Sequence, residues 1–236
     1  MTAVVLDESR SALTSWSTDR IAVTHLYLYD NVLAELSESV GGLPDLRVLD
    51  LAGNRLTDLP ESLGRCGRLQ YLYLHGNTLP RLPEAVRTLA GLVYLNVNRN
   101  PMPELPDWIG DLAALAELRA EATGLREIPA GIGRVSGLRE LHLRDNALAV
   151  VPASIGELSD LRYLDLRGNA LERVPAQLAG CRRLRQLDLR QNRLTGLDEV
   201  LVSLPVLEKL DLRWNGLDEF DPVVAELRGR GCLVHV

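Results

Sequence analysis

In the stretch LQYLYLHGNTLPRLP, residues 69–83, leucines alternate with Tyr71, Tyr73 and His75 before the chain turns. Such alternation predicts a half-buried strand with one apolar and one polar face. The layout returns every 23 residues, from VTHLYLYDNVLAELS (23–37) through units beginning at 46, 69, 92, 115, 138, 161 and 184 to LEKLDLRWNGLDEFD (207–221). Nine units thus follow one another without insertion or deletion. Apolar residues at positions 1, 4, 6 and 11 of each unit predict a short strand and turn facing inward, and repetition predicts that successive strands stack ~4.8 Å apart.

Two further columns support a stacked solenoid. Position 9 is Asn31, Asn54, Asn77, Asn100, Asn146, Asn169, Asn192 and Asn215, broken by Thr123. An amide there can satisfy backbone groups of neighbouring turns. Pro60, Pro83, Pro106, Pro129, Pro152 and Pro175 fix the backbone where it leaves for the opposite side. Position 21 is apolar throughout and includes Cys66 and Cys181, which reads as core filling. The pattern LxxLxLxxNxLxxLPxxLGxL resembles the leucine-rich repeat, in the 23-residue form of plant intracellular Ras-group and many bacterial proteins. Nine units of 23 put that resemblance over 207 of 236 residues. It implies an α/β fold, a right-handed solenoid. A curved parallel β-sheet lines the concave face, and short helical, 3-10 and irregular segments form the convex face. The resemblance also implies binding rather than one defined partner.

A solenoid exposes its core at both ends unless capped. Residues 1–22 are expected to form an N-terminal cap in which Trp16 covers the first unit, ahead of repeats at 23–229. The run DPVVAELRGRGCLVHV predicts a cap helix at about 222–229 and a closing strand at 230–236, with Cys232 in this lid.

Positions 3, 5 and 7 must point out of the concave face. They hold all six tyrosines (Tyr27, Tyr29, Tyr71, Tyr73, Tyr94 and Tyr163) and His25, His75 and His142, with Trp214 alongside at position 8. Tyrosine suits strands, but gathering every tyrosine on one face favours binding. The first four units add Asn96 and Asn98 to an aromatic, neutral half. The last four carry Arg144, Arg167, Arg190 and Arg213, beside Asp165, Asp188 and Asp211. This second half is either a self-paired charge ladder or a site for an acidic partner. Unit five, with Ala120 and Thr123 off-pattern and Glu117, Arg119 and Glu121 outward, predicts an altered local twist.

Aromatic content is 4%, so leucine and valine must build the core, and net charge is −6. An acidic total argues against duplex nucleic acid or an anionic membrane as partner. Three widely separated cysteines offer neither a disulfide framework nor a metal motif. His75 and His142 lie three units apart, ~14 Å at the strand spacing, too far to share a metal. No phosphate loop, GxSxG or HExxH occurs. No catalytic residue, cofactor or metal ligand is therefore assigned. The chain reads as a non-catalytic protein- or peptide-binding module working as adaptor, scaffold or regulator. The alternative is a recognition subunit or exported bacterial effector. With neither a basic start followed by an apolar run nor a spanning segment, the cytoplasm is the expected location. Monomer and homodimer stay equally open. Lys209 is the only lysine among 26 basic residues, a bias expected of a GC-rich bacterial source.

Overall fold

The computed structural model describes residues 4–19 and 22–236; residues 1–3, 20 and 21 of the expected cap lie outside the described residues. The described residues form one all-parallel sheet of eleven three-residue strands in chain order. The strands of the nine units are β2 (His25–Tyr27), β3 (Val48–Asp50), β4 (Tyr71–Tyr73), β5 (Tyr94–Asn96), β6 (Glu117–Arg119), β7 (Glu140–His142), β8 (Tyr163–Asp165), β9 (Gln186–Asp188) and β10 (Lys209–Asp211). Preceding and following them are β1 (Val5–Asp7) and β11 (Leu233–His235). The register puts Leu26, Leu49, Leu72 and Leu95 side by side, and all four are fully buried. Replacing any one by alanine would cost about 2–5 kcal/mol.

The N-terminal segment is itself a coil of the solenoid. It pairs at an interval of 20 residues, Val5 against His25. Arg10 adopts the left-handed conformation of Asp30. The N–H groups of Ser11 and Leu13 donate to Asn31 Oδ1 at 3.0 Å, and Trp16 is buried in the core. At the other end α1 (Pro222–Gly229), capped by Asp221, buries Val223, Val224 and Leu227 under the last strands.

Every unit turns at position 8, where Asp30, Gly53, Gly76, Arg99, Ala122, Asp145, Gly168, Gln191 and Trp214 all have φ between 52° and 68°. Position 9 then closes the turn. Asn54 Nδ2 donates to Leu51 O in its own unit and to Leu28 O in the one before, while its Oδ1 accepts the Leu33 N–H. Thr123 interrupts this ladder. Met102 N–H donates instead to the Thr123 carbonyl, and Asn146 Oδ1 accepts from the N–H groups of Thr123, Gly124 and Leu125. Strand pairing on both sides of β6 keeps its register, so the departure is absorbed in the turn.

Each LP proline precedes a 3-10 segment on the convex side, as Pro60 does for Glu61–Arg65. These segments pack closely: a Cβ on Gly156 would lie 2.2 Å from the Gln177 carbonyl oxygen. Cys66 and Cys181 are fully buried behind them. Burial pushes their thiols up to about 11 and about 12 respectively.

Candidate functional site

The three outward columns differ in depth. Position 3 stands highest, with Tyr71 40% exposed. Position 5 is sunk between its neighbours, so that Asn96, His142, Asp165, Asp188 and Asp211 are buried. Asp165 and Asp188, which the alternation turns outward, are therefore sunk between their neighbours and not open to solvent. Burial pushes the Asp165 carboxyl up, and the Asp50 carboxyl for the same reason. Position 5 also has a local task. The position 7 N–H is not used by the sheet, and an Asp or Asn two residues earlier caps it: Asp50 for Ala52, Asn96 for Asn98, Asp165 for Arg167 and Asp188 for Arg190, at 3.0–3.1 Å.

The aromatic half is a stacked cluster. Tyr94 lies across the gap between Tyr71 and Tyr73, with centroids 6.3 and 4.8 Å away. Asn96 Nδ2 donates to the Tyr94 hydroxyl at 3.2 Å. Burial raises the Tyr73 and Tyr94 hydroxyl pKa values. His75 Nδ1 is buried with no hydrogen-bond partner among the described residues. Further toward the N-terminus are Tyr27 and Tyr29, and Arg10 lies over the Tyr29 ring at 5.3 Å. Asn98 turns toward the next unit and accepts the Glu121 N–H at 2.8 Å.

Unit five and its neighbour make a tight polar junction. Arg119 pairs with Glu117 at 2.5 Å, and Arg144 with Glu121 at 2.8 Å. His142 Nε2 lies 3.1 Å from Glu140 and 3.9 Å from Glu117, and its ring stacks on Tyr163 at 4.9 Å. Burial, followed by the nearby Asp165 and Asp188, pushes the Tyr163 hydroxyl up to about 12. Glu117, Glu140 and His142 place donor atoms within 4.8 Å of one another, a grouping across two adjacent units that the wide spacing of the histidines does not reveal. A divalent cation there would have to displace Arg119 from Glu117, so internal ion pairs already occupy the donors.

Beyond the junction the arginines diverge. Arg190 is paired with Asp188 and lies 3.5 Å from Asp211, and Arg213 pairs with Asp211 at 2.7 Å. For these two the self-paired ladder is what forms. Burial alone would raise the Asp211 carboxyl, but bonds from Arg213 and the charge of Arg190 hold it below its ordinary value. Arg167 joins no ion pair among the described residues; with Arg213 it flanks the ring of Trp214, at 5.9 and 5.6 Å. The columns also run on into residues not named from sequence. Val5, Leu233 and His235 continue them at the two ends, and the alternation in VLD and LVH was the available signal.

The family model described as "Leucine-rich repeat region" matches residues 22–143, more than half of the chain, and "Leucine rich repeat" matches 136–194 and 175–217. This chain belongs to the leucine-rich repeat family. Among solved structures, this leucine-rich repeat protein is similar to one from Leptospira interrogans, with TM-score 0.90 and 28% identity over 98% of this chain and 60% of that one. It is also similar to the Arabidopsis receptor kinase HAESA, solved in complex with the peptide hormone IDA and the co-receptor SERK1. There the TM-score is 0.70, with 28% identity over 83% of this chain and 34% of that one. TLR13 in its complex with ssRNA13 gives TM-score 0.76 and 28% identity over 83% and 29%. The chain thus spans 60% of the length of the Leptospira protein and about a third of the two others. No curated protein matches it. Among the described residues no helix is long and apolar enough to cross a membrane. Leucine-rich repeat solenoids typically serve as non-catalytic binding scaffolds.

Proposed function

We propose that this leucine-rich repeat protein is a non-catalytic protein- or peptide-binding module that uses its concave face as an adaptor, scaffold or regulator. The observation that carries this reading is the Tyr71–Tyr73–Tyr94 cluster, stacked and partly open on the concave face, with Tyr27 and Tyr29 beside it. Rigid aromatics of this kind give contact area at low entropic cost and recur as binding hot spots. The peptide complex of HAESA supports the choice of ligand. An RNA ligand like that of TLR13 is disfavoured by the net charge of −6.

The test is affinity capture from lysate of the source organism with wild type and with Tyr73→Ala/Tyr94→Ala. Wild type is expected to retain a specific protein, and the variant at least about tenfold less, the effect of losing a hot spot. Equal recovery by both, or retention of RNA alone, would show the reading to be wrong. Light scattering of the pure protein distinguishes monomer from homodimer.

A further inference from the structure

Four arginines succeed one another at position 7 of units six to nine, and three end on a carboxylate. In units eight and nine the guanidinium folds back on the aspartate two residues earlier, Arg190 on Asp188 and Arg213 on Asp211. Unit seven has the same spacing, with Asp165 in the equivalent place, yet no ion pair within 4.0 Å joins them. Arg167 instead lies toward Trp214, two units onward, and its Nε is buried with no acceptor among the described residues.

Trp214 is equally out of keeping with the solenoid. It is 63% exposed and sits at φ +60°, a conformation that three other units fill with glycine and five with Asp, Arg, Ala or Gln, so that it is the one aromatic in that column. A bulky side chain is disfavoured there. Folding would be served as well by an Asp165–Arg167 pair and by glycine at 214. A cation without a counter-ion beside an exposed indole is what an anionic group on an apolar stem requires.

We propose that Arg167 and Trp214 form a subsite for an acidic side chain of a bound peptide, the carboxylate meeting the guanidinium and its methylene stem lying on the indole. This rests on the concave-face reading and adds the charge character of the partner. A carboxylate fits better than a phosphate, because Asp165, which caps the Arg167 N–H and has no cationic partner among the described residues, repels a dianion more strongly.

The experiment is selection of displayed random peptides on the whole protein. Affinities of the enriched peptides are then measured for wild type, Arg167→Gln, Trp214→Gly and Tyr73→Ala. Enriched peptides are expected to carry Asp or Glu, and to bind Arg167→Gln and Trp214→Gly at least about tenfold more weakly. Replacing the acid by its amide should weaken binding to wild type but not to Arg167→Gln. The melting temperature of Trp214→Gly should hold or rise, since glycine relieves the left-handed backbone. Peptides without a common acid, or bound equally by Arg167→Gln, overturn the subsite. If Tyr73→Ala still loses those peptides, the concave-face reading survives. Absence of any enriched peptide overturns the subsite, and the concave-face reading then stands or falls by the capture experiment.

Discussion

Asp165 shows how much the depth of one side chain matters. Its carboxyl caps the Arg167 N–H, but among the described residues no cation pairs with it, and burial raises its pKa. A carboxyl with a raised pKa in the fold destabilises when ionised, fully above its folded pKa and not at all below its unfolded one. Asp165→Asn keeps the cap, as Asn96 does in its own unit. It should raise the melting midpoint at neutral pH by on the order of 2 °C. The gain should shrink as pH falls through the folded pKa and vanish in stronger acid. Asp211 has the opposite sign: its lowered pKa contributes stability above the unfolded value, lost as pH falls through the folded one. Asp211→Asn should therefore destabilise at neutral pH, removing charge-assisted bonds to Arg213, and converge with wild type in acid. Thermal melts followed by circular dichroism across pH check both. From sequence these aspartates were indistinguishable, because the alternation says which face a residue joins and nothing about how far its neighbours rise around it.

The turn carries the ladder that joins one coil to the next. Asn77 makes three buried bonds, to Leu51 O, Leu74 O and the Leu56 N–H. Asn77→Ala should cost about 3 kcal/mol or more, since each buried orphan costs ~1–3 kcal/mol. Thr123→Ala, at the same position of unit five, should cost under about 1 kcal/mol, because backbone and Asn146 have already replaced it. Urea denaturation would show the difference as a shift in midpoint at unchanged slope. This element was almost wholly legible: leucine, asparagine and proline columns each have one geometric reason, repeated in nine, eight and six units respectively. The N-terminal coil escaped the same reading because it closes in 20 residues, out of phase with the period. At unit five, where Ala120 and Thr123 depart from the pattern, the strand register continues unchanged.

Taken whole, the molecule is a linear stack, so its stability is local and its ends open first. Cys66 and Cys181 lie inside the stack, whereas Cys232 is 6% exposed under the C-terminal helix. In urea below the unfolding transition, a thiol reagent should label Cys232 well before the other two. Simultaneous labelling would show that the stack opens as one unit. What the stack displays was legible in outline, since the aromatic columns follow from the period. The isolation of Arg167 was not, because Asp165, Asp188 and Asp211 promise it the same partner as its neighbours.

The sheet also has a pitch. Its strands succeed one another every ~4.8 Å, while an extended peptide advances ~3.3 Å per residue and shows alternate side chains to one side every ~6.6 Å. Four strand intervals and three such steps come to nearly the same length, ~19 and ~20 Å. Tyr73 on β4 and Arg167 just past β8 are four intervals apart. A partner strand laid across the sheet that meets both would carry its aromatic-contacting residue and its acid about six positions apart, with the residues between them falling out of step with the columns.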